Sequence, residues 1–495
     1  MNGLTTATRS GRVHGVRPWL RPHASSYRWW LAAALLVAIP LGYGIAGYPF
    51  LTAGAVGGMA VLLVLLLRPM LLLGAMLALG AVNLAVLTGG ERELFDSLGG
   101  LDMNGIRLVG LVTGLTALVL IDRRMLSRIV GPAGRVYLLF LVFAAGTLAF
   151  SPAPVAGLRL LFKLAYPFLV FAAVAALIRG THDLDRLGDW TLAAAAVLVL
   201  VVNPLLVLNG GYTVDLSGHV RIQGLGLHQN PFSYYLLAMA LLALSRYVFR
   251  NQLRYLLLAL GLAGWIVLTF SRMTLAASLA ALATMAIYGA YLRRNLRPVV
   301  VATLVALALA IPLTPVVLDR TLGFVPAPRE LLALLSDPAA LAAGMRWGGR
   351  DLLWPVLVDA ARASPFLGLG LGASSAVLGS SFSLQMTDQP HNEYLRLWVD
   401  TGTVGVLLFF VAVAVWAWAA ARAGRSTVPQ AREYALPAVA SIVAWALLSI
   451  TGNPLDYYTQ FTQYVAFFCA GAVAAAAWSP EPGPEPEPTA QASAR

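Results

Sequence analysis

The chain has one cysteine and few charged residues. Cys469 is the only thiol among 495 residues, so an internal disulfide cannot form. A metal site built from several thiolates is excluded for the same reason. Charged residues make up 11% of the chain, whereas a soluble domain has about 25%. These absences argue against a soluble globular protein, an internal disulfide and a metal site with several thiolate ligands.

Long apolar runs occupy most of the sequence. Hydrophobic residues make up 59% of the chain, and the mean hydropathy is +0.76. Apolar runs long enough to cross a bilayer predict an all-α polytopic integral membrane protein with about 12–14 transmembrane helices. The candidate spans are 29–47, 50–67, 70–88, 105–121, 135–150, 160–178, 190–208, 231–249, 254–270, 273–291, 298–315, 404–421, 435–451 and 461–478.

The basic residues predict the orientation of these spans. The formal net charge is +12, but in a membrane protein arginines gather in cytoplasmic loops, so the charge does not indicate nucleic-acid binding. The basic N-terminal lead shows no cleavage site, so we expect a retained first span and both termini in the cytoplasm. The expected organisation is a basic cytoplasmic tail over 1–28, transmembrane helices over 29–315, a large extracytoplasmic loop over 316–403, transmembrane helices over 404–478 and a disordered Pro/Glu-rich tail over 479–495.

The long loop is expected to contain helices of its own, because a structureless loop of that length is uncommon. The third helix should bury a stripe formed by Leu353, Leu357 and Ala360 and end at Ser364-Pro365. The three predicted loop helices are Arg329–Leu335, Pro338–Met345 and Arg350–Ala363.

His391 is the candidate general base. Pro390 suits the first position of a helix, and Asp388 or Thr387 could cap it, which places His391 in the first helical turn. The positive end of the helix dipole favours a neutral imidazole, which suits a base near neutral pH. The alternative is a histidine that only caps the helix or packs against the membrane surface.

Arginines on the predicted outer side run against the orientation rule and require another explanation. Guanidinium groups bind phosphate through two hydrogen bonds, so several converging arginines could hold a pyrophosphate. The alternative is solvation or pairing with lipid head groups, which we prefer for Arg320, Arg346 and Arg362. The candidates for function are Arg272, placed tightly between two spans, together with Arg350 and Arg221.

Several other residues have weaker claims. The run Gly368–Gly372 lacks the strand and helix of a phosphate-binding loop, so we interpret it as a tight turn. Glu393 and Asp400 could orient the histidine or a sugar hydroxyl, or could be ordinary surface groups. Lys163 and Asp456 lie close enough to predicted span ends to reach water.

Four short elements occur in order along the second half of the chain. They are His228-Gln229-Asn230-Pro231, Ser271-Arg272, Gly349-Arg350 with Trp354 and Ser364-Pro365-Phe366 behind it, and His391-Asn392-x-Tyr394-Leu395 followed by Gly402-x-x-Gly405. Together they resemble the O-antigen ligase and O-antigen polymerase superfamily. The resemblance extends from about Gln223 to Gly452. Fourteen spans would exceed the dozen usual in that family.

The resemblance implies a metal-independent, inverting membrane glycosyltransferase of the GT-C type, without a cofactor, in a bacterial inner membrane. Its donor would be an oligosaccharide on polyprenyl (undecaprenyl) pyrophosphate, and its acceptor a hydroxyl of another glycan or lipid-linked glycan, on the extracytoplasmic face. No nucleic acid is implied. His391 would act as base, Arg272, Arg350 and Arg221 would bind the pyrophosphate, and Asn392 and Tyr394 would bind substrate.

Three alternatives stay open from the sequence. A ligase and a polymerase share these elements and differ in their acceptor. A flippase for lipid-linked glycans would place its cations along a central cavity between two halves. A non-catalytic assembly subunit would tolerate substitution of the histidine and the arginines.

Overall fold

In the computed structural model, the described residues are 68–78, 80, 131–210, 212–214, 220–222, 229–306, 318, 322, 326–337, 340, 349–382 and 389–478. They fall within one unit, Arg68–Arg495. The spans predicted at 29–47, 50–67 and 105–121 lie outside this part of the chain, as do both predicted tails, so the total number of spans stays a prediction.

Helices form nearly all the regular structure of the described residues. In chain order they are α1 (Pro69–Ala78), α2 (Pro132–Thr147), α3 (Pro154–Leu177), α4 (Thr181–Val197), α5 (Asn203–Leu208), α6 (Gln229–Arg250), α7 (Leu253–Thr269), α8 (Arg272–Arg293), α9 (Arg297–Ala306), α10 (Pro328–Ser336), α11 (Arg350–Ala363), α12 (Ala373–Ser381), α13 (Glu393–Ala423), α14 (Pro429–Thr451) and α15 (Thr462–Ala476). A π-helical turn, Leu198–Val202, joins α4 to α5. Two three-residue strands, β1 (Tyr212–Val214) and β2 (Val220–Ile222), pair antiparallel.

Seven helical stretches among the described residues are long and apolar enough to cross a membrane, which confirms the all-α polytopic fold. Where the structure describes them, the helices follow the predicted spans closely. For example, the predicted 231–249 and 273–291 correspond to α6 and α8. The boundary between α7 and α8 is set by Phe270, whose left-handed backbone (φ 49°) ends α7 just before Ser271 opens α8.

Helix α14 lies at the centre of the described bundle. It packs against α6, α8, α13 and α15. Alanines such as Ala440 and Ala444 are fully buried on it, and small residues let helices in a membrane approach closely. Aromatic rings fill the neighbouring space, with Trp416 of α13 stacked between Tyr137 and Phe171 at centroid distances of 4.7 and 5.0 Å. Residues at either end of α14 can therefore contact several other helices.

Helix α13 bends at Gly402, whose φ of 64° is non-helical. The glycine run docks against this bend. Leu369 N donates to Val399 O at 2.7 Å, and Gly370 N donates to Asp400 O at 3.1 Å. Three glycines of the run have positive φ values of 74°, 98° and 90°, which side chains with a Cβ rarely adopt. The predicted tight turn is confirmed.

Two of the predicted loop helices are confirmed, as α10 and α11, and α11 has the predicted bounds. Most of the helix predicted over Pro338–Met345 lies outside the described residues. The buried stripe of α11 is Leu353, Leu357 and Ala361 rather than Ala360, because the helix turns about 100° per residue and positions four apart share a face.

Candidate functional site

His391 lies immediately before α13 and not in its first turn, so that prediction was wrong. The helix begins at Glu393, and Asn392 is its N-cap. The Asn392 Oδ1 atom accepts hydrogen bonds from the backbone N–H groups of Tyr394 and Leu395, each at 3.0 Å. Asparagine is among the strongest N-cap residues, so it displaces the predicted cap further upstream. His391 is half-buried and has a positive φ of 51°, which is uncommon outside glycine and marks a constrained position.

The turn that follows α14 holds the histidine ring. Asn453 Nδ2 lies 3.3 Å from His391 Nδ1 and donates to Gln389 Oε1 at 3.3 Å. Asn453 is buried, with 2% of its surface exposed. The two segments that meet here are 62 residues apart in sequence, because His391 precedes α13 and Asn453 follows α14.

Arg350 reaches the same turn from α11. Its Nη2 atom donates to the carbonyl oxygen of Thr451, the last residue of α14, at 2.8 Å. One turn along α11, Trp354 Nε1 donates to Pro390 O at 3.2 Å, next to His391. Burial lowers the pKa of Arg350, but a guanidinium starts so high that it stays charged at physiological pH. The structure thus brings His391 and Arg350 to one turn.

Arg272 joins this end of the bundle through the start of α6. Ser271, the residue before it, donates from Oγ to Asn230 Oδ1 at 3.1 Å. One turn further along α6, the hydroxyl of Tyr234 packs against Gly452, where a Cβ would come within 2.5 Å of it. The starts of α6 and α8 and the end of α14 therefore lie together, and Arg272, half-buried, opens α8 at this place.

The other predicted arginines are placed differently. Arg221 lies in β2, paired in register with Thr213 of β1, and its side chain lies outside the described part of the structure. Arg320 and Arg346 lie outside it altogether. Arg362 is 71% exposed and contacts Asp359 at 3.3 Å, which agrees with the solvated surface group that we expected.

Four charged side chains, two of them buried and two partly buried, form a network behind the histidine. Arg396 Nη1 contacts Glu393 Oε2 at 3.2 Å and Asp456 Oδ2 at 3.0 Å. Asp456 Oδ1 accepts from Lys163 Nζ at 2.6 Å. Burial by itself would raise the pKa of Asp456, but the Arg396 and Lys163 cations outweigh burial and hold that pKa below its usual range. This network was not expected, although charges beside apolar spans were a usable signal.

Glu393 and Asp400 are fully buried, so their interpretation as surface groups was wrong. Glu393 Oε1 accepts from the backbone N–H of Leu455 at 3.1 Å, which ties the turn to α13. Asp400 Oδ1 accepts from the backbone N–H of Ser374 at 2.7 Å, which ties α12 to α13. Both carboxylates hold backbone elements in place, and neither has a described hydrogen bond to the histidine ring.

Asn392 and Tyr394 have contacts within the fold. The side-chain oxygen of Asn392, Oδ1, caps α13, and the residue is largely buried. Tyr394 donates from its hydroxyl to Ala446 O of α14 at 2.5 Å and stacks on Phe410 at 5.4 Å. Substrate binding by these two residues stays a prediction.

Among the described residues, no three His, Cys, Asp or Glu side chains are grouped to hold a metal ion.

The class that this architecture defines is a polytopic helical membrane protein with a histidine and arginines gathered at one end of its bundle. Residues 256–410 match the family model of the O-antigen ligase, a stretch that includes Arg272, Arg350 and His391. This part of the chain is similar to the O-antigen ligase family, and the match confirms the resemblance found in the sequence. No curated protein matches the chain. The family match supports an enzyme of the glycosyltransferase kind that acts on lipid-linked glycans in cell-envelope polysaccharide assembly.

Proposed function

We propose that the protein transfers an oligosaccharide from polyprenyl (undecaprenyl) pyrophosphate to a hydroxyl of a glycan acceptor, at the extracytoplasmic face of a bacterial inner membrane. The observation that carries this proposal is the convergence of His391 and Arg350 on the turn after α14, with Arg272 at the same end of the bundle. The O-antigen ligase match supports the reaction class.

In the proposed reaction, Arg350 and Arg272 hold the pyrophosphate and stabilise the charge that it gains as it leaves. Arg221 is proposed to assist them. His391 takes the proton from the acceptor hydroxyl while the hydroxyl oxygen attacks the anomeric carbon from the face opposite the pyrophosphate. The product is inverted, and no step of this scheme requires a metal.

The first test compares His391→Ala with the wild type in purified form, using a polyprenyl-pyrophosphate oligosaccharide and candidate acceptors. Loss of a general base lowers a rate by about 10²–10⁴-fold, so we expect that loss with donor binding retained. His182→Ala is the matched control, because His182 is exposed at the start of α4. Equal turnover by wild type and His391→Ala would contradict the proposal.

The product also separates the alternatives. A longer lipid-linked chain identifies a polymerase, and a glycan on a different acceptor identifies a ligase. If wild-type protein in proteoliposomes moves a labelled lipid-linked glycan between leaflets and forms no transfer product, the protein is a flippase and not a transferase.

A further inference from the structure

A chain of side chains linked by hydrogen bonds ends on His391. Arg396 Nη2 donates to Gln389 Oε1 at 3.3 Å. Asn453 Nδ2 approaches the same oxygen at 3.3 Å and lies 3.3 Å from His391 Nδ1. Three of these residues belong to the segment around the start of α13, and Asn453 comes from the turn after α14.

The direction of every hydrogen bond in this chain follows from Arg396. A guanidinium has donors and no acceptor, so the Gln389 atom facing it must be the carbonyl oxygen. That oxygen accepts, so the Asn453 atom beside it must be the NH₂ group. This group has two hydrogens, and the second points to His391 Nδ1, which must therefore accept. A neutral imidazole carries one N–H, and here it can lie only on Nε2.

Ion pairs hold Arg396, the first residue of this hydrogen-bonded chain, in place. The side chain of Arg396 is 5% exposed. Its Nη1 atom forms ion pairs with Glu393 Oε2 at 3.2 Å and with Asp456 Oδ2 at 3.0 Å. Lys163 in turn holds Asp456. Because these ion pairs fix the position of Arg396, its hydrogen bond fixes the orientation of the Gln389 amide. The Gln389 amide then orients Asn453, and Asn453 orients the ring of His391.

We propose that Asn453 is a positioning residue for His391, and that through Gln389 and Arg396 it keeps the imidazole neutral with its proton on Nε2. The ring then has one lone pair, on Nδ1. If the protein is the proposed transferase, the acceptor proton passes to Nδ1, and the arriving hydroxyl replaces the Asn453 contact. The electron pair of the breaking anomeric C–O bond leaves on the pyrophosphate oxygen.

While the N–H of Asn453 contacts Nδ1, before an acceptor hydroxyl has replaced it, the same arrangement opposes the imidazolium. A proton on Nδ1 would face the N–H of Asn453, and two facing donors repel. An aspartate in place of Asn453 has the opposite effect, because a carboxylate accepts from Nδ1–H and favours the charged ring. Among the described residues, the elements packed around this contact carry these charged or titratable groups: Lys163 of α3, Tyr234 of α6, Arg350 of α11, Glu393 and Arg396 of α13, and Asp456 and Tyr457 of the turn.

The tautomer can be measured without any transfer assay. The full-length protein would be labelled with [¹⁵N]histidine and reconstituted in lipid nanodiscs. His391→Ala assigns the His391 signals among the six histidines. We expect the wild type at pH 7.5 to show a neutral ring protonated on Nε2. A ring protonated on Nδ1, or an imidazolium at that pH, would overturn the proposal.

Asn453→Asp is the informative variant. We expect its His391 ring to gain a proton on Nδ1 and to stay charged to a pH about 1–2 units higher than in the wild type. Gln389→Glu is the conservative partner. Its carboxylate oxygen still accepts from Arg396 and Asn453, so its neutral ring should keep the proton on Nε2, although the added charge also favours the imidazolium. An unchanged ring in Asn453→Asp would contradict the positioning role.

The transfer assay gives a second readout that rests on the proposed function. The acid limb of the rate profile should move to higher pH in Asn453→Asp by the same 1–2 units, because the charged ring cannot accept a proton. A limb that stays in place while the tautomer changes would overturn the link to catalysis. Absence of transfer by the wild type would refute the proposed function and leave the tautomer result standing.

Discussion

Ion pairs lie near both ends of α14, but the charges at the two ends are arranged differently. At the end remote from His391, Arg246 is fully buried and pairs with Asp189 and Glu433. Arg250 pairs with Asp185 and also with Glu433. The Nε atom of Arg250 lies 2.6 Å from Oε2 of Glu433. Here cations meet carboxylates from α4 and α14, and the ion pairs fasten three helices together.

At the His391 end, the ion pairs lie behind the residues of the candidate site. Lys163, Asp456, Arg396 and Glu393 pair with one another, and Arg350 donates to the carbonyl oxygen of Thr451 close to His391. The comparison suggests that one end stabilises the fold and that the other uses a similar network to support a site.

Glu433→Ala should give the largest effect, on folding. It removes the buried carboxylate that Arg246 and Arg250 share, and breaking a buried pair costs about 3–5 kcal/mol. We expect a lower thermal transition by fluorescence-detected size exclusion, with transfer per folded molecule unchanged. Asp359→Ala is the control, since its ion pair is 75% exposed on the aspartate side and should cost at most about 1 kcal/mol. Equal stability loss in both variants would break the comparison.

Arg350→Ala should act on transfer and not on folding. Removing one group that stabilises a developing negative charge lowers kcat by about 10²–10³-fold, and we expect a weaker apparent affinity for the donor as well. Arg350→Lys should recover part of the loss, because it keeps the charge but not the planar fork. Arg362→Ala, on the same helix and 71% exposed, should behave as the wild type. Full activity of Arg350→Ala would remove it from the site.

Asp456→Asn should give a smaller effect that depends on pH. The folded-state pKa of Asp456 lies below its usual range, so its stabilisation is complete above the unfolded pKa of about 4 and disappears as the pH falls through the folded value. We expect the variant to be less stable by about 2 kcal/mol, constant from pH 5 to 8. Below pH 4 the difference should shrink. Melting curves from pH 8 to 3 test this, and a difference that grows towards low pH would reverse the assignment.

Much of the fold followed from local patterns in the sequence. A run of apolar residues has few ways to exist except as a span, so the helices between 132 and 476 lie close to their predicted positions. The start of α11 and the tight turn at Gly368–Gly372 followed from helix and glycine signals in the same way. The cap of α13 was misjudged because several residues before it could cap, and the sequence does not rank them.

The candidate site followed only in part. His391 and Arg350 could be chosen because an imidazole and a guanidinium suit proton and phosphate chemistry at any place in a fold. Asn453 and Gln389 could not be chosen, because an amide acquires a role only from the groups beside it. The role of Glu393 stayed open for a related reason, since its sequence neighbours do not show that it contacts Leu455 and Arg396.

The sequence by itself determined a membrane-embedded helical protein and the types of groups available for chemistry, because hydrophobic length and side-chain charge are local properties. The tertiary structure alone decided which groups meet. Lys163 and Asp456 are 293 residues apart and pair at 2.6 Å, and Asn453 reaches His391 across 62 residues. Such contacts depend on how α3, α13 and α14 pack, and packing sums many weak interactions along the whole chain.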